Sequence, residues 1–272
     1  MAVQLSLRFQ VNFGLSLRSS EEIDPSRVKI RLVRLSKGRR LRNVTLTVGD
    51  DLFSGSRFGD VIRGGAGDDQ IWGLNGNDVI NGNLGEDAIY GGRQNDAIDG
   101  GLGADELYGE SGNDILDGGA DDDFLSGGEG KDILIGDSGN DFLLGGTGSD
   151  LLQGGSGEDI LSGQGGADIY RWTARDFSLS EIDQVIGFEA GTDRLSIRGF
   201  TFAPERITTV GKVTQFNVDG DAAPDLAVKF VGRPVSLTAA DFVDSQLPVA
   251  QPRWSVNLAL SASFSASVHL KR

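Results

Sequence analysis

Between residues 46 and 171 the chain repeats one nine-residue pattern without a break in register. One clear copy is Gly64-Gly65-Ala66-Gly67-Asp68-Asp69-Gln70-Ile71-Trp72, and another is Gly154-Gly155-Ser156-Gly157-Glu158-Asp159-Ile160-Leu161-Ser162. The shared form is G-G-x-G-x-D-x-U-x, with U a large apolar residue. Fourteen copies run in phase, and each carries aspartate at its sixth place: Asp51, Asp60, Asp69, Asp78, Asp87, Asp96, Asp105, Asp114, Asp123, Asp132, Asp141, Asp150, Asp159 and Asp168. The eighth place is apolar throughout: Phe53, isoleucine from Ile62 to Ile98, leucine from Leu107 to Leu161, then Tyr170. A disordered glycine-rich tract does not hold an apolar residue at every ninth position, so the pattern calls for a folded repeat.

The nonapeptide splits into two chemical halves. Its first six places are dominated by glycine and end on aspartate. Glycine tolerates positive φ and close backbone approach, so this half predicts a sharp turn with exposed carbonyls. The closing x-U-x is too short for a helix and reads as a strand with U on one face. Turn, strand, turn, strand is one coil, so two nonapeptides make a coil, and coils stack about 4.8 Å apart. The expected fold is all-β: a parallel solenoid whose U residues fill a narrow core between two sheets.

Stacking puts the aspartates of odd-numbered copies in one column and those of even-numbered copies in another. Neighbouring carboxylates roughly 5 Å apart repel by about 1 kcal/mol in bulk water and about 3–4 kcal/mol at an effective dielectric of 20. A dozen such pairs are too many for a domain whose whole stability is about 5–15 kcal/mol. A divalent cation between successive turns removes the repulsion. The ligands on offer are carboxylate and carbonyl oxygens only, since the chain has no cysteine and its one histidine, His269, lies outside the repeats. Flexible oxygen-only sites favour Ca²⁺ over zinc, copper or Mg²⁺. Without the ion the repeats are expected to be disordered.

Net charge is −15, and residues 46–171 hold 26 acidic against 5 basic side chains. That excludes nucleic acid as a partner of the repeat region. The absence of cysteine suits a secreted protein stabilised by metal rather than disulfides. No apolar run of 18 residues exists to form a transmembrane helix, and the N-terminus lacks the pattern of a secretory signal peptide. With a single histidine there is no His-Glu-x-x-His site and no Ser-His-Asp centre, and no G-x-S-x-G elbow occurs, so the chain reads as non-enzymatic. A carboxylate-only glycosidase would draw on the same acids, which calcium explains more simply.

The nonapeptide resembles that of the RTX (repeats-in-toxin) calcium-binding β-roll proteins: bacterial RTX toxins, serralysin-type proteases, RTX lipases and alginate epimerase accessory modules. The resemblance implies a parallel β-roll, with the fourteen sixth-place aspartates as side-chain ligands and turn carbonyls completing each site. Each ion is then shared between stacked turns. Seven turns per column leave six gaps. Departures at Phe58, Gln94 and Asp121, where glycine is expected, and at Leu46 lower the number to roughly eight to eleven ions. The resemblance further implies a secreted, extracellular protein of a Gram-negative bacterium, exported by type I secretion machinery.

The flanks divide the chain into a β segment with a basic stretch (1–45), the roll (46–171), a β-rich cap (172–246) and a tail (247–272). Residues 3–17 alternate apolar and polar, as does the tail from Trp254 to Leu270, and the two are expected to pair as amphipathic strands. A second strand is expected at 28–35. Eight basic and no acidic residues fall between Arg27 and Arg42. They read as a solvated loop or counter-charge to the roll, with an anionic membrane or polysaccharide as the sharper alternative. Val44, Leu46 and Val48 are expected to cap the open end of the roll.

Downstream, Ile182–Phe188, Gly191–Ile197, Asp225–Val228 and Leu237–Val243 are ordered like the cap that follows the roll in serralysin-type proteins. Almost thirty residues follow Asp241-Phe242-Val243, which departs from the terminal signal of those relatives. Asp219, Asp221 and Asp225 fit a hairpin turn better than a further calcium site. Trp72, Tyr90 and Tyr108 share the outward ninth place on successive coils. Cross-strand packing is the first explanation, and stacking on sugars is the basis of an alternative function, a calcium-dependent adhesive module for polysaccharide or a bacterial surface.

Overall fold

The computed structural model describes residues 43–201, 203–221, 223–232 and 235–243, almost wholly as strands and turns. The expected strands at 3–17 and 28–35, the basic segment before Asn43 and the alternating tail lie outside these residues.

The repeats form two parallel sheets, with consecutive strands alternating between them. One sheet has nine strands, from Val44–Thr45 through Val61–Ala66 and Val79–Leu84 to Ile169–Trp172 and Arg194–Ile197. The other has eleven, from Leu52–Ser54 through Gln70–Asn75 to Ile160–Gly166, then Asp183–Ile186 and Leu226–Val231. Within the roll every pair is in register at 18 residues, as Ile62 opposite Ile80 and Leu143 opposite Leu161. Two nonapeptides therefore make one coil, as the periodicity requires.

The eighth-place residues are the core. Ile62, Ile71, Ile80, Ile89 and Ile98, then Leu107 to Leu161, expose 0–1 % of their surface. Phe53, in the first coil, has a neighbour on one side only and is half-buried.

The strands are longer than x-U-x. Val61–Ala66 takes places seven to nine of one copy and one to three of the next, leaving Gly67-Asp68-Asp69 as the turn. The first three places of the glycine-rich half are thus strand, and only its last three form the turn. That half accommodates this by a left-handed residue at its second place, Gly65 at φ 120° or Leu74 at φ 81°. Gln94 and Asp121, at the fourth place, keep the left-handed backbone of the glycines they replace, with φ 75° and 79°.

Val44 is buried and Leu46 packs against the core, but Val48 is 89 % exposed and does not take part in closing that end. At the other end the chain keeps both sheets going after the nonapeptides stop. Ile160 pairs with Gln184 and Ile169 with Arg194, at offsets of 24 and 25 residues instead of 18. Val185, Leu195, Ile197, Phe216, Leu226 and Val228 close the core. Two antiparallel strands, Val213–Phe216 and Ile207–Val210, complete the larger sheet. Asp219, Asp221 and Asp225 sit in the connection between Val213–Phe216 and Leu226–Val231. Their carboxylates accept N–H groups of Val218, Asp221 and Ala223 at 2.6–2.9 Å, as a turn does.

Candidate metal centre

Each turn delivers one sixth-place aspartate to the same edge of its sheet. Asp60 to Asp168 expose 0–3 % of their surface, while Asp51, in the first coil, is half-buried. The backbone fixes each residue from two sides. The Asp141 carbonyl accepts the N–H of Ile160 in the next coil at 2.8 Å, and the Asp141 N–H donates to Oδ1 of Asp159 at 2.9 Å. The odd column is linked this way from Asp51 N–H to Asp69 Oδ1 at 2.8 Å onward. The even column runs from Asp60 N–H to Asp78 Oδ1 at 2.6 Å through to Asp168.

One oxygen of each carboxylate from Asp69 onward is thereby used, and Oδ2 of Asp60 accepts the N–H of Ser56 at 2.7 Å. Oδ2 of Asp69, Asp78, Asp87, Asp96, Asp105, Asp114, Asp123, Asp132, Asp141, Asp150 and Asp159, and Oδ1 of Asp60, are buried without a hydrogen-bond partner. The Oδ2 atoms among these face the first-place glycine of their own turn. A Cβ on Gly73 would lie 2.5 Å from Asp78 Oδ2 and 2.6 Å from the carbonyl oxygen of Gly91. Glycine is needed here for space, and the niche is lined by carboxylate and carbonyl oxygen.

That donor set fits a hard, oxygen-seeking cation such as Ca²⁺. The column aspartates would supply its carboxylate oxygens. No group of three or more His, Cys, Asp or Glu side chains converges among the described residues, so turn carbonyls would have to complete the shell. When bound, the ion supplies positive charge beside oxygens that no protein donor reaches.

The electrostatics bear on why it is needed. Asp96 and Asp123 are pushed up to about 8, Asp105, Asp114, Asp141 and Asp150 to about 7, and Asp69, Asp78, Asp132 and Asp159 to about 6. Burial is the first cause in every case; neighbouring carboxylates add to it, and the backbone N–H of the preceding coil opposes it. Repulsion within the column is therefore secondary, because that N–H lies between successive carboxylates. The larger cost is a buried charge with half of its oxygens unsolvated.

Sequence reasoning missed two members of the columns. Asp183 Oδ1 accepts the N–H of Asp159, and Asp193 Oδ1 that of Asp168, both at 3.1 Å. They lack the glycines and the nine-residue phase. What survives is Asp-x-U itself, as Asp183-Gln184-Val185 and Asp193-Arg194-Leu195. It also missed Asp99 and Asp117, paired across the outer face of the smaller sheet, where burial raises them to about 6 and about 7.

Trp72, Tyr90 and Tyr108 do form a column. Their rings stack on one another, with centroids 5.7 and 4.8 Å apart and planes within 8°. Phe124 and Phe142 prolong the ridge at 5.6 and 5.7 Å. Rings in such a stack cover each other's faces and leave mainly edges outward, which matches cross-strand packing.

Residues 47–170 match the family described as the RTX calcium-binding nonapeptide repeat (4 copies), in the overlapping stretches 47–80, 72–107, 99–134, 108–143 and 135–170. Among solved structures the chain is similar to the AlgE6R3 subunit from the Azotobacter vinelandii mannuronan C5-epimerase, determined in solution. The identity is 25 %, over 56 % of this chain and 91 % of that one, with a TM-score of 0.38. No curated protein matches the chain.

Proposed function

Residues 47–170 of this chain are RTX calcium-binding nonapeptide repeats, and from that premise we propose a secreted, non-enzymatic protein whose roll folds as it loads with calcium outside the cell. The observation that carries this reading is the run of twelve buried carboxylate oxygens without a partner, aligned in two columns. An unsatisfied buried polar group costs about 1–3 kcal/mol, and more if charged. Twelve of them match or exceed the about 5–15 kcal/mol that holds a domain together. The roll therefore depends on a cation, and binding free energy becomes folding free energy. The fourteen repeat aspartates are the candidate ligands, for roughly eight to eleven ions.

Extracellular modules of this chemistry bind Ca²⁺ at about 10⁻⁴–10⁻³ M, far above cytosolic levels. A chain that stays unfolded in the cytosol and folds outside suits export through a type I secretion channel. No described helix is long and apolar enough to cross a membrane.

Far-UV circular dichroism during a Ca²⁺ titration, with Mg²⁺ as control, tests the reading. A cooperative coil-to-β transition with Ca²⁺ alone is expected. A roll already fully formed in chelator at neutral pH would overturn it.

A further inference from the structure

We propose that the cap closes both carboxylate columns with its own N–H donors, so that Asp183 and Asp193 end the ion columns instead of extending them. The inference rests on the calcium reading above.

Both residues occupy the next position in their columns and are 3 % exposed, like the aspartates before them. The difference lies at the second oxygen. Oδ2 of Asp159 in one column, and of Asp150 in the other, is buried without a partner. Oδ2 of Asp183, the next member after Asp159, accepts the indole Nε1–H of Trp172 at 2.6 Å. Oδ2 of Asp193 accepts the backbone N–H of Glu189 at 2.8 Å. Every oxygen of these two carboxylates is thus matched to a protein donor.

The longer offsets explain how. Between Asp159 and Asp183 the chain has six residues more than a coil, and between Asp168 and Asp193 seven more. Inside the roll the residue four places before the aspartate lies within a paired strand, as Gly65 opposite Asn83 does before Asp69. Glu189 lies outside any strand, so its N–H is free to turn to Asp193. At the far end Thr47 donates its N–H and its hydroxyl to Asp51 Oδ2 at 2.6 and 2.8 Å and Ser56 its N–H to Asp60 Oδ2 at 2.7 Å, but Oδ1 of Asp60 is still buried without a partner, so that end is not closed in the same way. Trp172 is the firmer plug, because its indole N–H can only donate and, at 1 % exposure, has no water to turn to. A cation at Asp183 would meet that hydrogen where it needs a lone pair.

Anomalous diffraction from crystals of the full-length, calcium-loaded protein reads this directly. Peaks are expected between coils in both columns, with none within about 2.6 Å of Oδ2 of Asp183 or Asp193. Ion counting by native mass spectrometry gives a second reading. Asp183→Asn and Asp193→Asn should bind as many ions as the unaltered chain, while Asp141→Asn binds at least one fewer. A peak at either cap carboxylate, or an ion lost from either cap variant that still shows the roll's ellipticity, overturns the proposal. Columns with no peaks at all would instead overturn the calcium reading beneath it.

Discussion

Asp141 in the roll and Asp241 in the cap are equally buried, each 1 % exposed, and their surroundings treat them in opposite ways. Asp141 has one donor, the N–H of Asp123 at 2.8 Å, and its other oxygen has none. Its pKa is raised to about 7, by burial first and then by neighbouring carboxylates. Asp241 has three donors: the N–H and hydroxyl of Thr238 at 2.7 and 2.8 Å, and the N–H of Gly191 at 2.7 Å. Burial raises it too, but those donors outweigh it and leave its pKa below the usual value. Burial alone does not leave a carboxylate oxygen open to a cation; a missing donor does. The surroundings of Asp241 hold its charge without help, and those of Asp141 do not.

The widest test of that contrast is pH in the presence of chelator. Unfolded aspartate titrates near 3.9. The roll aspartates are raised to about 6–8, so the folded roll holds more protons than the unfolded chain in between. Its metal-free stability is thus fully present below about pH 4 and falls as pH rises through about 6–8. Asp241 runs the other way. Its contribution is present above the unfolded pKa and is lost as pH falls through its depressed value. In chelator the roll's ellipticity should therefore grow as pH is lowered from about 8 to about 5.5, with protons replacing the ion; Asp183, which burial raises to about 7, moves with the roll, while Asp241 does not gain. A chelated roll equally folded at both pH values would break the comparison.

The sequence shows the roll far better than the cap, for a physical reason. A repeated unit states its rules fourteen times: the core ladder from Ile62 to Leu161 and the aspartate columns follow from phase alone. The cap states each rule once. Asp183 and Asp193 keep only Asp-x-U, and their partners, Trp172 at the end of a strand and Glu189 in a connection, belong to no repeated motif. The donor between successive carboxylates was also hidden, since a backbone N–H leaves no mark on composition. The same blindness left desolvation out beside repulsion, and made the whole glycine-rich half look like a turn when its first three places are strand.

A sharper cut exchanges one oxygen in each region for nitrogen. In Asp141→Asn the retained Oδ1 still accepts from Asp123, while the unpartnered carboxylate charge disappears. The expected sign depends on the ion: about 1–2 kcal/mol less stable with calcium, and more stable by a similar amount in chelator near pH 8. Asp241→Asn loses an acceptor for which three donors compete. It should cost about 1–3 kcal/mol whether or not calcium is present. Denaturant unfolding of the full chain in both conditions measures the pair. The same sign for Asp141→Asn in calcium and in chelator would show that its second oxygen is not an ion ligand.

The smallest expected effect separates backbone strain from metal binding. Among the described residues, all seven non-glycine residues with left-handed φ lie in the roll: Leu74, Asn83, Gln94, Glu110, Asp121, Asp137 and Gln164. The described cap uses glycine at each such position, including Gly211 at φ 66°. A left-handed residue with a side chain costs about 1–2 kcal/mol, and glycine gives back about 0.4–1 kcal/mol through the freedom of the unfolded chain. Gln94→Gly should therefore stabilise the calcium-loaded protein by about 0.5–1 kcal/mol. Gly211→Ala, with no atom within 4 Å of the added methyl, tests the same backbone term in reverse and should cost a similar amount. Because neither side chain reaches a column, neither variant should change the calcium midpoint by more than its stability shift accounts for. A larger shift for Gln94→Gly would mean that the turn backbone at this fourth place helps to form the ion's shell. Roll strain would then be coupled to metal affinity, whereas the cap glycine would remain a matter of conformation alone.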